Sequence, residues 1–485
     1  MRTLEWLMVV MSLPAIAWIL FGRGKTSPKW PVWCRISAII SLLLLPLHAW
    51  LEGPHWQMGS IYLAILLLLY PLLRPGMTTR TRLWLGSIEL VLIAGGLAVC
   101  FTVPMFHLPK TTGPYPIATR TLHLVDPNRQ ETHPHARPGQ REIVVQIFYP
   151  SATTAGPHAV YRQLRETDLR STYQAVLKTQ ALQDAPVATG RFPVILFNHA
   201  WRGFRNRSSY ILQELASQGF IVVGISHPYN AAVTALKDEY LADGRKQIDL
   251  GDFYSKPPMT LEQRLTLAHN EMRIQTDDDR FLLDQLAILD KTPGDPLAGH
   301  FDLGHVGAFG HSFGGSVSAE LANEDSRVNA VIILDGVLHG PVAETGLPKP
   351  LFRIQAETPE MAPGSEYSPI QSTRVHAQMS KLGETALASS FQRFGGYQVV
   401  LRGIDHENFS DKGFFSPFHS LSGIGYLPQS RAAMIINTYI VAFFLQTLKN
   451  EPQAVLSNEP QPFPEVVRFQ SWPVQKAPTS DPARQ

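Results

Sequence analysis

Four apolar stretches crowd into the first 106 of 485 residues. They run about Leu4–Phe21, Ile36–Leu51, Met58–Leu73 and Leu83–Phe106. A helix needs roughly 20 apolar residues to cross the hydrocarbon core of a bilayer, with about 17 as the lower limit. The fourth stretch is long enough and the other three sit at or just under that limit, with Glu5 and Glu89 inside two of them. One such stretch alone reads as a buried helix, and the first alone as a signal peptide. Four of them, separated by short polar turns, predict a transmembrane bundle of about four helices over residues 1–106. Loop charge then predicts the orientation. Arg23, Lys25, Lys29 and Arg35 lie in the first loop and Arg74, Arg80 and Arg82 in the third, whereas the second, around Glu52–His55, has no Lys or Arg. Loops one and three should face the cytoplasm, and four crossings put everything after about His107 outside it. The expected protein is multi-pass, with an extracytoplasmic soluble part.

The averages conceal this split. A net charge of +2, with no basic stripe interleaved with aromatics, argues against a nucleic-acid partner. The two cysteines, Cys34 and Cys100, belong to the apolar part. The soluble part therefore has no disulfide framework, and no Cys/His cluster points to a metal. No cofactor and no obligate protein partner is expected.

Residues 107–141 read as a linker rich in Pro, Thr, His and Arg. From 142 to 450 the pattern alternates between short apolar runs and helical stretches. The runs are Glu142–Tyr149, Phe192–Asn198, Phe220–Ser226, His305–Phe309, Val328–Leu334, Pro350–Gln355 and Tyr397–Arg402. The helical stretches lie near Ser208–Gln218, Leu261–Leu289 and Arg431–Leu448, and residues 231–295 show no further strand. Such alternation predicts an α/β protein whose mostly parallel sheet is covered on both faces. The last 35 residues carry seven prolines and little periodicity, so 451–485 is expected to be a disordered tail.

Within this frame stands Gly310-His311-Ser312-Phe313-Gly314-Gly315, between the strand HVGAF and the helix pattern SVSAELA. This is G-x-S-x-G in a strand–turn–helix context, a nucleophile elbow. The flanking Gly310 and Gly314 let strand and helix approach closely, and the turn thrusts the Ser312 hydroxyl outward. A hydroxyl needs a base, and the base an orienting carboxylate. In chain order these follow as acid, then histidine. Asp335 ends VIIL and is the candidate acid; Asp325 and Asp405 are rivals. His406, in a loop after QVVLR, is the candidate base. His305 and His311 precede the serine, His339 follows Asp335 without an intervening strand, and His376 lies in a polar segment. An oxyanion hole needs two backbone N–H groups. Phe313, directly after the nucleophile, supplies one, and Trp201, in Asn198-His199-Ala200-Trp201-Arg202-Gly203, is the best candidate for the other. His199 is read first as a structural histidine, and could also pack behind the loop and hold it.

The soluble part resembles the platelet-activating-factor acetylhydrolases of the plasma and type II kind and their bacterial esterase relatives. The segments that carry the resemblance are FPVILFNHAWRGFR, LASQGFIVVGISHP, FGHSFGG, VIILDG, PKPLF and IDHENFSD, in the family's order across about residues 190–415. The resemblance implies an α/β-hydrolase fold, Ser312, Asp335 and His406 as nucleophile, acid and base, and Phe313 and Trp201 as oxyanion donors. It implies hydrolysis of short or oxidised acyl esters of phospholipids, without metal or cofactor. Two departures concern the substrate. The family's His-Gly is His199-Ala200 here, and its leucine is Trp201, which is expected to narrow the acyl pocket. A general short-chain esterase, a dienelactone-hydrolase relative, an acyltransferase using the same residues and a non-catalytic membrane scaffold are the rival readings.

Overall fold

The computed structural model describes residues 1–22, 30–74, 77–134, 136–246, 258–358, 362–416, 418–457 and 460–473. They form two compact units. One contains Met1–His107, Val160–Lys178 and a short piece beginning at Phe415; the other contains Leu108–Ala159, Thr179–Phe414 and the chain from Phe418 onward.

The first unit is built from α1 (Thr3–Phe21), α2 (Val32–Leu51), α3 (Gly59–Leu67), α4 (Leu69–Leu73) and α5 (Thr79–Thr102). Four spans, Thr3–Phe21, Val32–Leu51, Trp56–Leu73 and Thr79–Thr102, are long and apolar enough to cross a membrane. The third is not one uninterrupted helix, because the chain breaks at Leu68 between α3 and α4. Small residues such as Ala15, Ala38 and Ala64 are buried between the helices, while Val10, Leu43, Trp50 and Val91 point outward. Apolar side chains thus lie on both the inward and the outward faces of these helices. The excursion 160–178 joins this unit through Trp56 Nε1, which donates to the Arg170 carbonyl at 2.9 Å, and through an edge-to-face contact of Phe106 with Tyr161. Arg23, Lys25 and Lys29, which carry part of the orientation argument, lie outside the described residues.

The second unit is an α/β-hydrolase-like fold around a mixed eleven-stranded sheet. Its strands are β1 (Ile117–Gln130), β2 (Gln140–Pro150), β3 (His158–Val160), β4 (Lys178–Gln183), β5 (Phe192–Asn198) and β6 (Ile221–Ser226), then, after a separate hairpin of β7 (Thr234–Ala235) and β8 (Leu241–Ala242), β9 (Phe301–His311), β10 (Val328–Leu334), β11 (Leu351–Ala356), β12 (Gly396–Leu401) and β13 (Val466–Trp472). The order is β13-β12-β11-β10-β9-β5-β6-β2-β1-β4-β3. The run from β6 through β5 and β9 to β12 is parallel. β2 is antiparallel to both β6 and β1, and β13 is antiparallel to β12.

Helices cover both faces. α6 (Ser209–Ser217) and α12 (Gln429–Leu448) supply Leu212, Leu215, Ile436 and Phe443 to one core. α7 (Leu261–Leu289), α8 (Phe313–Glu324) and α10 (Gln371–Phe394) supply Leu282, Leu286, Leu321 and Phe391 to the other. The short α9 (Pro341–Thr345) and α11 (Lys412–Phe415) lie in loops. α12 also has the length and composition of a membrane span. Its Ile435, Ile436, Tyr439, Ile440 and Phe443 are nevertheless fully buried, so the apolar sequence serves this core. Each such side chain contributes about 1.5–3 kcal/mol by leaving water.

Three sequence expectations are corrected. The stretch 107–141 contains β1, so it is only partly linker. Residues 231–295 hold the two-residue strands β7 and β8. The tail 451–485 contains β13, which adds to the sheet edge beside β12; residues 474–485 lie outside the described residues.

Candidate active site

Ser312 is the turn between β9 and α8. Its φ of 56° and ψ of −122° lie where few residues other than glycine settle. Its amide is tied to the Leu334 carbonyl at 2.8 Å. A Cβ at Gly310 would stand 2.1 Å from the Gly314 backbone, and one at Gly314 2.2 Å from the Asn198 carbonyl oxygen. Both positions therefore require glycine on steric grounds, and α8 can begin only because they are bare.

The structure brings Asp335 and His406 together. Asp335 ends β10 at φ 47°. Its Oδ2 lies 2.7 Å from His406 Nδ1, and its Oδ1 accepts from the Ala356 N–H at 2.9 Å. Burial pushes the Asp335 carboxyl up, but the hydrogen bond and charge of His406, with the Ala356 N–H, outweigh burial and hold it below its ordinary value. It stays an anion that accepts from Nδ1, so Nδ1 is the protonated ring nitrogen of His406. The rivals sit elsewhere: Asp325 is bound to Arg327, and Asp405 accepts from the His406 amide. The other histidines also take other places. His305 pairs with Asp302 at 2.8 Å. His376 lies on α10, with Nδ1 3.1 Å from Arg264 Nη2. His339 lines the cavity beside Ser312.

His311 packs its ring 4.6 Å from that of His406. Burial first, and then the neighbouring His406, hold its pKa down at about 3. It is thus a neutral ring packed against His406.

Trp201 and Phe313 meet edge to face, 5.4 Å apart. The aim of the Trp201 N–H follows from its peptide plane. In a trans peptide, N–H and C=O point in opposite directions. The carbonyl of that plane, Ala200 O, is held by the Gly203 N–H at 2.7 Å and by His199 Nδ1 at 2.8 Å. Pinning the oxygen on one side fixes the Trp201 N–H on the other. His199 Nε2 in turn accepts from the His227 N–H at 3.5 Å, so one neutral tautomer serves both contacts. Burial, with the nearby His227, keeps its pKa down at about 3. Because an asparagine amide reproduces the Nδ1 position and a glutamine amide does not, His199→Asn should retain most of kcat. His199→Gln and His199→Leu should each lose about 10–100-fold with KM little changed, part of what a missing oxyanion donor costs. Equal kcat in all four proteins would show that the carbonyl does not depend on His199.

Behind this loop lies a charged network that sequence reasoning missed. Asn198, the last residue of β5, donates to Asp279 Oδ2 at 2.9 Å and to Ser318 Oγ at 3.1 Å, and receives His227 Nε2 at 2.9 Å. His227 Nδ1 binds Asp278 Oδ2 at 2.9 Å. Arg141 reaches Asp278 and Glu131, each at 2.6 Å. The visible signals were His227, directly after the strand IVVGIS, and three successive aspartates on an otherwise amphipathic α7.

The neutral histidines carry a pH prediction. His199 and His311 fall from 6.5 to about 3 on folding. The unfolded chain therefore binds more protons between those values, and stability drops as pH falls below 6.5, by up to about 1.4 kcal/mol per pH unit for each histidine. Asp279 and Glu320, whose carboxyls burial raises, slope the other way, so the comparison is with a variant: melting temperature should fall more steeply from pH 7 to pH 4.5 in the parent than in His311→Phe. Equal slopes in the two proteins would contradict the assignment of His311 as a neutral ring.

One group among the described residues has the separations of a metal site: Glu5, His48 and His55, with ligand atoms within 4.8 Å of one another. The Arg2 guanidinium already donates to Glu5 and stands 3.1 Å from His48 Nε2, so a cationic group is in place there and we assign no metal.

The family described as platelet-activating factor acetylhydrolase, isoform II, matches residues 106–275. That span covers β5, the loop of Trp201 and His227, and ends before the elbow. A platelet-activating factor acetylhydrolase of Cavia porcellus is 27% identical over 284 residues, which is 52% of this chain and 60% of that protein's length. A protein of Arthroderma benhamiae named "Probable 1-alkyl-2-acetylglycerophosphocholine esterase" is 24% identical over 419 residues, 79% of this chain and 98% of that one. Among solved structures, a ferulic acid esterase from Streptomyces cinnamoneus superposes with a TM-score of 0.58 at 24% identity, over 75% of this chain and 99% of that one. In sequence the chain thus resembles the platelet-activating factor acetylhydrolases of isoform II, and in fold a bacterial esterase.

Proposed function

We propose that the chain is a membrane-anchored serine hydrolase of carboxylic esters, working through Ser312, His406 and Asp335. The observation that carries this reading is the 2.7 Å contact of Asp335 with His406 beside a serine held at positive φ. His406 Nε2 takes the Ser312 proton while Asp335 stabilises the imidazolium. The alkoxide adds to the ester carbonyl, and the oxyanion receives the N–H groups of Phe313 and Trp201. Collapse expels the alcohol, protonated by His406, and leaves an acyl-serine. Water, deprotonated by His406, then releases the acid and restores the serine. The relatives' names support an ester of this general kind, with acetylated alkyl glycerophosphocholine as one substrate to test.

The apolar helices of residues 3–102 support anchoring, and loop charge supports an extracytoplasmic catalytic unit. A tether would concentrate the enzyme on an amphipathic or lipid ester in the same plane. Purified full-length protein should hydrolyse p-nitrophenyl esters and, in vesicles, a 2-acyl glycerophospholipid, with both activities lost in Ser312→Ala. Hydrolysis of soluble esters with no activity on vesicle-borne phospholipid would remove the lipid part of the reading and leave the esterase.

A further inference from the structure

A cavity of about 470 Å³ opens at Ser312, within the size range of pockets that enclose whole organic ligands. Trp201 and Phe313 form the wall next to the serine. The sequence suggested that a tryptophan here would narrow the acyl site. Its ring stands edge-on to Phe313 and forms part of the wall of the space. Val337, which follows β10, and Ala377 and Met379 of α10 continue the lining as its apolar part, and Arg353, Glu366, Lys381 and Glu384 give it a charged part. Ala377 and Met379 are buried, as is Arg264.

Which half of an ester enters this space follows from the chemistry. Three directions leave the carbonyl carbon: the oxygen toward the N–H groups, the leaving alcohol toward the base, and the acyl chain. The alcohol oxygen must face His406 to receive its proton. The cavity is walled by the residues of both oxyanion donors, by Ser312 and by Asp335, whereas His406, which has to face the alcohol oxygen, is not among its lining residues. The remaining direction, that of the acyl group, runs into it.

Resting on the hydrolase reading above, we propose that the enzyme acts on esters of bulky acids, with acyl groups of roughly eight to twelve carbons in the cavity rather than acetyl. The space, about 470 Å³, is many times what an acetyl group fills. An acetyl group would leave most of the apolar wall without contacts, and each methylene withdrawn from water against that wall is worth about a threefold to fourfold gain in binding. The Arg264–His376 pair on the same lining offers a polar end to an acyl group that carries an acceptor.

The test holds the alcohol constant. Full-length enzyme in detergent is given p-nitrophenyl acetate, octanoate and 3-phenylpropanoate below their aggregation limits. The proposal expects kcat/KM at least tenfold higher for the two larger esters. It also expects that advantage to shrink at least tenfold in Ala377→Trp and in Met379→Trp, which fill the cavity from α10. Reaction of Ser312 with a small phosphonate reports that each variant is folded, and either variant alone decides. Acetate turned over as fast as the larger esters, with a ratio that neither variant moves, overturns the proposal while leaving the hydrolase intact. A folded enzyme that cleaves none of the three overturns both.

Discussion

Replacing His406 with alanine should lower kcat on p-nitrophenyl esters by on the order of 10⁵–10⁶-fold, while the protein still folds. Its side chain is only partly buried, but its loss leaves the Asp335 carboxylate without its ring partner, so stability should fall by about 1–3 kcal/mol. In the proposed mechanism the loss is large because serine and histidine act as a unit: without a base, the hydroxyl remains an alcohol, and the oxyanion donors have no charge to stabilise. Asp335→Asn should cost less, roughly 10⁴-fold. The asparagine amide can sit in the same place but favours the wrong ring tautomer, turning a protonated Nε2 toward the serine. Stopped-flow and steady-state rates on one ester check the order. An Asp335→Asn enzyme with near-parental kcat would move the acid to another residue, with Asp405 or Asp325 next to be tried.

Arg141→Met should be the most destabilising single change in the network behind the oxyanion loop. Arg141 is 2% exposed and bridges Asp278, fully buried, and Glu131. Burial alone would raise both carboxyls, but Glu131 is held down at about 2 by His133 and Arg141, and Asp278 well below its ordinary value by Arg141 and His227. Removing the guanidinium leaves two carboxylates with less compensation, a loss of about 3–5 kcal/mol for broken buried pairs. Since native domains are stable by only about 5–15 kcal/mol, the variant should melt far below the parent. It should also lose activity at temperatures where it remains folded, because Asp278 orients His227 and His227 holds Asn198 at the foot of the loop. Arg141→Met with Asp278→Asn removes a charge from each side and should recover part of the stability, as expected of neighbours sharing one interaction. Additive losses in the double variant would show that the pair is not energetically coupled.

Much of this architecture was legible in the sequence, for identifiable reasons. β5 and β10 coincide with their apolar runs because a central parallel strand is buried on both faces and reads as continuous Val, Ile and Phe. The elbow was visible because steric demands at Gly310 and Gly314 restrict residue choice there. β1 was missed because IATRTLHLVDPNRQ is largely polar and half exposed, paired along its length only with β2 and briefly with β4. β13, at the sheet edge, hides among prolines for a similar reason. The network of Arg141, Asp278, His227 and Asn198 left almost no trace, since its members are spread over more than 130 residues and are joined only by the fold. The cavity is likewise a property of packing between α7, α8 and α10. That Trp201 seats edge-on against Phe313 in its wall was equally out of reach of the sequence.

The most direct test of the account is covalent labelling of purified full-length protein with a fluorophosphonate probe, followed by mass spectrometry of the modified peptide. The account predicts one adduct, on Ser312, absent in Ser312→Ala and strongly slowed in His406→Ala. A folded protein that takes up no probe, or takes it up on another residue, would contradict the assignment of Ser312 as nucleophile.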